Sequence, residues 1–392
     1  MIRGMGSQFE KRARIGLVTK EWPPFIYGGA GVHVKYLNAA LRPYVEVDVH
    51  CFGEFRPDAT GYPMSESDSK LNPAMQALIT DAQIANNLGS VDIVHSHTWY
   101  ANMAGHFSKL LHGTPHVITA HSLEPDRPWK AEQIGGGYKI SSWAEQTSYE
   151  GADAIIAVSQ GMRKDVLHAY PSLDPNKVHA ILNGIDTEQY SPQPNQKILD
   201  KYAISGNFAI FVGRITRQKG LAHLIKAWEK VDPSHGLVLL AGSPDEPGIG
   251  EEIEAAINKL RQTRSNVWWV REMAPQNEVI SLLSSADLFI CPSIYEPLGI
   301  VNLEAMACET AVLASDVGGI PEVVANGLTG ELVHYSRDAV NFENSFTQKI
   351  NELMSDKDRL VRYGKAGRAR AIEKFSWDAI AQETVALYKT LL

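Results

Sequence analysis

An α/β architecture is what this sequence predicts, with two doubly wound parallel sheets, each in its own domain. Three observations carry that expectation. Short β-branched runs alternate with longer amphipathic segments from end to end, which is the rhythm of β-α-β units. The rhythm breaks at a polar, proline-punctuated stretch, TEQYSPQPNQ at 187–196, and then restarts. The chain has 392 residues, too many for one ordinary core but suited to two domains of roughly 150–200 residues each.

In the first half, strands are expected at 14–19 (RIGLVT), 45–50 (VEVDVH), 92–96 (DIVHS), 116–120 (HVITA), 154–159 (AIIAVS) and 178–182 (VHAIL). Helical patterns at GVHVKYLNAAL, NPAMQALITDAQIANNL and YANMAGHFSKLL lie between them. In the second half the strands are FAIFVG (208–213), LVLLAG (237–242), NVWWV (266–270), LFICP (288–292) and AVLAS (311–315), with helices such as GLAHLIKAWEKV and EEIEAAINKL between. The last 40 or so residues read as helix, ending in FSWDAIAQETVALYKTLL. Two Rossmann-like domains are therefore expected around one cleft, because ligands bind at the carboxyl ends of parallel strands.

Composition narrows the function. The 44% hydrophobic and 21% charged content is that of a globular protein. A net charge of −8 argues against a broad electropositive surface for nucleic acid. Cys51, Cys291 and Cys308 lack C-x-x-C spacing and lie beside apolar runs, so buried, reduced thiols are expected. No apolar run reaches the ~18–20 residues of a membrane span. The opening MIRGMGSQFEKRAR reads as a loose polar tail rather than a secretory signal. A cytoplasmic location is the expectation.

The most informative segment is YEPLGIVNLE, 295–304, where a strand runs into a helix. Glu296 falls in the turn and Gly299 near the helix start, whose free N–H groups and dipole favour an anion. Gly299 lets a phosphate approach the backbone. Glu304 lies about 7.5 Å further along the helix axis. Two carboxylates beside a phosphate site suit the hydroxyls of a sugar on either side, as in a nucleotide-sugar. Spacing alone leaves open an exposed Glu296 and a Glu304 that is only a helix former. Arg214 and Lys219 of FVGRITRQKG follow a strand, and two cations there would neutralise a diphosphate leaving group.

In the first half, YGGAGVHV places glycines between a strand and a helix, and His121 follows the strand HVITA. His95 and His97 of HSHTW alternate and are expected to face opposite sides if the strand continues. A three-histidine metal site joining them to His121 is the weaker reading. Asp356-Lys-Asp358 opens a helix and reads as a solvated cap. No obligatory metal and no other cofactor is expected.

Together these segments resemble the retaining glycosyltransferases of the two-Rossmann (GT-B) fold. The nearest resemblance is to the short bacterial glycogen synthases of the Corynebacterium type and the related maltose-1-phosphate synthases. It rests on EWPPFIYGGAGVHV, HSHTW, TAHSLEPDRPWK with EQIGGGY, LNGID, VGRITRQKG, YEPLGIVNLEAMA and VGGIPEVV, in family order from residue 21 to 324. The resemblance implies that Arg214 and Lys219 hold the donor diphosphate and that Glu296 meets the donor sugar and Glu304 the ribose. Gly299, Ile300 and Val301 would cap the distal phosphate, Asn183 would line the donor cleft, and Gly28 and Gly29 would approach the donor phosphates or the acceptor from the other domain. His121 would lie beside the anomeric carbon. It further implies front-face transfer of glucose, with the leaving phosphate helping to deprotonate the acceptor, so that no enzyme nucleophile is needed. It also implies that the last helix crosses back, giving domains at 1–190 with 376–392 and at 191–375.

The expected partners are a nucleotide-glucose, with ADP-glucose favoured, and either an α-1,4-glucan end or glucose 1-phosphate. Self-association is compatible with the sequence. A glucan asks for exposed aromatics such as Trp99, Trp129 or Tyr138, and a phosphorylated acceptor asks for cations such as Arg127, Lys130 or Lys139. Two departures stand out. The glycine loop lacks the lysine of the larger synthases' Lys-Thr-Gly-Gly-Leu, and Asp126 stands where an apolar residue is the family habit. A nucleotide-sugar epimerase and a binding-only relative are the readings from other classes. The presence of Arg214, Lys219, Glu296 and Glu304 together argues against a decayed site.

Overall fold

The computed structural model describes residues 12–127, 135–244 and 247–392. The chain divides into two compact units. The first comprises residues up to Ala157, Val166–Ile181 and Asp378–Leu392; the second comprises Val158–Asp165 and Leu182–Trp377. The polar stretch 187–196 therefore lies inside the second unit, and the change of unit falls between Ile181 and Leu182.

The first unit carries a seven-stranded sheet of β1 Arg14–Thr19, β2 Glu46–Phe52, β3 Thr60–Tyr62, β4 Ile93–His97, β5 His116–Ala120, β6 Ala154–Ala157 and β7 Val178–Ala180. Their order is β3-β2-β1-β4-β5-β6-β7, and every pairing is parallel. β4, β5 and β6 are buried along their whole length, which is why they read as unbroken apolar runs rather than alternations. β3 escapes a reading of the sequence because TGY sits among turn formers. The chain order reverses between β1 and β4, so the carboxyl ends of these two strands flank the switch point where such sheets bind ligands.

The second unit repeats the plan with six strands: β8 Phe208–Ile215, β9 Gly236–Pro244, β10 Val267–Val270, β11 Leu288–Cys291, β12 Ala311–Ser315 and β13 Gly330–Val333. The order is β10-β9-β8-β11-β12-β13, again parallel, with its switch point between β8 and β11. Phe211, Leu224, Trp228, Leu239, Ile257, Phe342, Phe346 and Leu353 bury one face of this sheet under its helices. A register shift between Gly213 and Ile215 marks a bulge in β8.

The final helix, Trp377–Lys389, contributes its buried face to the first unit. There the Tyr388 hydroxyl and His95 Nδ1 lie 2.6 Å apart, both buried. The Tyr44 hydroxyl donates to Asp378 at 2.7 Å on the surface. All three cysteines are buried and free. Among the described residues no helix is long and apolar enough to cross a membrane.

Candidate active site

The second unit assembles its charged residues around the switch point of its sheet. Arg214 occupies the bulge near the end of β8; it belongs to the strand rather than following it, and a bulge re-aims the side chain it carries. A single 3-10 turn, Arg217–Lys219, comes next, and Gly220 takes a left-handed conformation, φ +66°. A Cβ at Gly220 would stand 1.9 Å from the carbonyl oxygen of Pro292, so only glycine lets this turn press against the end of β11. The Ile294 amide donates to the Gln218 carbonyl at 2.8 Å and closes the contact.

That turn delivers Lys219 to Glu296. Nζ lies 2.6 Å from Oε2, with 16% and 9% of the two side chains exposed. The Ser293 hydroxyl donates to the same carboxylate oxygen at 3.2 Å. Burial alone would lower the Lys219 ammonium, but the adjacent Glu296 carboxylate outweighs it and holds the pKa above the ordinary lysine value. Glu296 is thus a buried, paired carboxylate and not the exposed residue that spacing left open. Its backbone carbonyl accepts from the Gly319 amide at 3.1 Å, and the Pro297 carbonyl accepts from the Ser159 hydroxyl at 2.6 Å. These bonds fix the turn from both sides.

Gly299, at φ +90°, begins the helix Ile300–Ala307. Asn302 folds back, its amide nitrogen donating to the Gly299 carbonyl at 3.2 Å. Val301 and Ile300 present the first amides of the helix, as the sequence suggests. Glu304 is partly buried, and its Oε1 accepts from the Tyr190 hydroxyl at 3.0 Å. Burial pushes its carboxyl up to about 7, against the lowering effects of that hydrogen bond and of Lys219. Gln276 donates to the Tyr190 hydroxyl at 3.0 Å. Asn183 is buried, with its side-chain oxygen lacking a partner among the described residues. Tyr190 was not legible as part of this group, because it sits in the polar, proline-punctuated stretch 187–196 where the strand–helix rhythm breaks.

In the first unit the glycine loop is organised by Glu21, which no motif singles out. The Glu21 carboxylate Oε2 accepts from the amides of Tyr27 and Gly28, both at 2.9 Å. The Gly28 amide therefore already holds an anion, the protein's own. Gly29 opens the helix Gly29–Leu41. Next to Glu21, the Lys20 ammonium lies 3.7 Å from the centre of the Tyr100 ring. Burial lowers its pKa, partly offset by Glu21. The loop thus lacks the family lysine, but an ammonium stands at the end of β1 instead. Phe25 and Tyr27 are exposed aromatics close by in sequence.

His97 Nδ1 and His121 Nε2 are 3.0 Å apart. His95 and His97 share a face, with ring centroids 4.3 Å apart. The expectation of opposite sides fails because residues two apart on a strand point the same way. His95 is committed to Tyr388 and, through Nε2, to the Thr119 hydroxyl at 2.7 Å. The third imidazole beside His97 and His121 is His33, from the helix Gly29–Leu41. Burial, then the neighbouring imidazoles, push His97 and His121 well below the ordinary histidine range, so both are neutral.

The residues named for an acceptor divide. Trp99 is 4% exposed and packs with Ala74 and Ala77, its ring 4.0 Å from that of Tyr100. It is covered by the neighbouring helix Pro73–Asn87, so it is not an exposed stacking platform. The Tyr138 hydroxyl donates to the Glu124 carbonyl at 2.7 Å. Arg127 is partly buried and donates to the Ser122 hydroxyl at 3.2 Å, while Lys139 is exposed. Trp129 and Lys130 lie outside the described residues. Asp126 is partly buried, its carboxyl raised by burial and lowered by His168. Glu124 and Glu145 anchor the segment after β5: the Glu124 amide donates to Glu145 at 2.7 Å, and the hydroxyls of Ser141 and Tyr170 donate to Glu124 and Glu145 at 2.6 and 2.5 Å.

Comparison with known proteins agrees with this anatomy. Residues 195–370 match the model for glycosyl transferases group 1, and residues 27–189 match that for glycosyltransferase family 4. The α-maltose-1-phosphate synthase of Mycolicibacterium smegmatis is 53% identical over 96% of this chain and 99% of its own length. The protein of the same name from Mycobacterium tuberculosis is 49% identical over the same shares. Among solved structures, a sucrose-phosphate synthase from Thermosynechococcus elongatus superposes with a TM-score of 0.80 over 97% of this chain and 99% of its own, at 23% identity. With two parallel sheets of this order and such identity over nearly its whole length, the chain belongs to the GT-B glycosyltransferase family that includes the α-maltose-1-phosphate synthases.

Proposed function

We propose that this glycosyltransferase moves glucose from ADP-glucose, with retention of configuration, to glucose 1-phosphate, forming maltose 1-phosphate. The observation that carries the reading is the buried Lys219–Glu296 pair set beside the start of the helix Ile300–Ala307. An ammonium in a poorly hydrated site stabilises the charge that grows on a departing diphosphate. Helix amides complete the anion site. Glu296 turns its remaining acceptor capacity to the hydroxyls of the transferred sugar, and Glu304 meets the ribose. Arg214 shares the diphosphate with Lys219, and Asn183 lines the donor site. His121 takes the place beside the anomeric carbon that the resemblance gives it; as a neutral imidazole it can accept a hydrogen bond from a sugar hydroxyl. No enzyme nucleophile and no metal is required, since the leaving phosphate takes the acceptor proton.

The identity of the 53% relative favours glucose 1-phosphate as acceptor. Arg127 and Lys139 supply cations for its phosphate, and Lys20 adds one that the glycine loop lacks. Extension of an α-1,4-glucan is the second reading, supported by the exposed rings of Phe25 and Tyr27. The test is product analysis by mass spectrometry after incubation with ADP-glucose or UDP-glucose, each with glucose 1-phosphate, with glycogen, or with no acceptor. A disaccharide phosphate from glucose 1-phosphate is expected. Growth of glycogen alone would transfer the acceptor role to the aromatics, and donor turnover without acceptor would point to an epimerase.

A further inference from the structure

We propose that His33, His97 and His121 form a binding site for one divalent transition-metal ion of the zinc class, and that the bound ion blocks transfer. The three residues come from separate elements: the helix Gly29–Leu41, the last position of β4, and the position just after β5. One ring nitrogen from each can be chosen so that all three lie within 4.8 Å of one another. The closest pair, His97 Nδ1 and His121 Nε2, is at 3.0 Å. Two nitrogens each ~2.0–2.1 Å from a tetrahedral ion are about 3.3 Å apart, so an ion fits where this pair now shares a hydrogen bond. The ring centroid of His33 is 4.8 Å from that of His121 and 5.5 Å from that of His97, and ring rotation closes the third bond.

Three further features favour an ion over a merely packed cluster. His97 is fully buried, and its Nε2 has no hydrogen-bond partner among the described residues. That nitrogen can carry the N–H when Nδ1 binds metal, and the shared proton passes to the far nitrogen of its own ring, so no charge is lost or gained by the ligands. His95, held on both nitrogens by Tyr388 and Thr119, packs 4.3 Å from His97 and limits the rotation of its ring. The set is three nitrogens without a carboxylate, which selects zinc, cobalt, nickel or copper over magnesium or calcium. His121 is partly exposed, which leaves the fourth tetrahedral position open to water.

The inhibitory consequence rests on the role given to His121 above: with its Nε2 on the metal instead of on His97, the neutral ring carries its proton on Nδ1, so neither nitrogen is left to accept a hydrogen bond from the sugar. The experiment is a titration of chelator-stripped protein with cobalt(II), read by the visible d–d bands of a tetrahedral ion, with displacement by zinc(II). One ion per chain is expected, with transfer falling in step with occupancy and returning on addition of chelator. His33→Ala and His97→Asn, checked for folding by circular dichroism, are each expected to weaken binding at least tenfold. His334→Ala, at an exposed histidine of the second unit, is expected to leave it unchanged. Absence of a saturable band, or wild-type affinity in both cluster variants, overturns the proposal. A bound ion that leaves transfer intact upholds the site and overturns the role of His121, so the two failures are distinguishable.

Discussion

Glu304 offers the sharpest test of how the donor is held. Its carboxyl is pushed up to about 7 by burial, yet the proposed contact with the ribose hydroxyls needs the ionised, accepting form. The proton and the nucleoside therefore compete for it. With a midpoint near 7, about nine-tenths of the sites are ionised at ~pH 8 and about one-tenth at ~pH 6, so affinity for ADP-glucose is expected to fall roughly tenfold between them, about 1.4 kcal/mol. ADP-glucose suits the purpose because its diphosphate is a diester with no group titrating near neutrality. Isothermal titration in two buffers of different ionisation enthalpy should show release of about half a proton per donor at pH ~7. Glu304→Gln should abolish both the pH dependence and the proton release. Tyr190→Phe, which removes a hydrogen bond that lowers this carboxyl, should move the midpoint upward. Affinity that is flat from ~pH 6 to ~pH 8, with no proton release, would refute the assignment of Glu304 to the ribose. The same group sets a stability trend in the free protein. A carboxyl raised on folding binds its proton better in the native state, so its contribution is present below the ordinary value of 4.5 and is lost as the pH rises through about 7.

Three other outcomes are expected. Lys219→Ala or Glu296→Ala should lower transfer by about 10²–10³-fold. Each should also cost about 2–4 kcal/mol of stability in denaturant titration, less than for a fully buried pair, because one buried charge is left unpaired. Wild-type rates in either variant would remove the pair from the mechanism. Gly220→Ala should destabilise the second unit by at least about 2 kcal/mol, since it forces a side chain into the left-handed region and onto the Pro292 carbonyl; an unchanged melting temperature would contradict the described turn. Arg127→Ala should raise KM for glucose 1-phosphate about tenfold while leaving KM for the donor in place. Equal effects on both substrates would deny it the acceptor phosphate.

Periodicity made the fold legible, and YEPLGIVNLE and VGRITRQKG made the charged cluster of the second unit legible, because chemistry and turn geometry are both local there. β13 and β3 escaped because GELV and TGY are short and carry glycine, leaving too few residues to show a period. The burial of Trp99 was hidden because a tryptophan at a helix start gives no sign of which neighbour covers it. Glu21, Lys20 and Tyr190 were missed for a related reason. Each acts on a partner brought near by folding, and nothing in its immediate sequence distinguishes it from an ordinary surface residue. His33 belongs with them: it lies on a helix whose apolar face conceals its proximity to two strand ends.

The hydrogen bond between Tyr388 and His95 has a bearing on how the chain is made. The first unit holds most of the residues synthesised early, yet its interior is completed by a helix made after the whole of the second unit. Translation therefore delivers every part of the second unit before it delivers the final piece of the first. Domains ordinarily fold from the amino end as they emerge; here the earlier-made unit is the one that must wait. A released chain truncated after Trp377 should already protect the second unit from protease while β4 and β5 of the first remain open to cleavage.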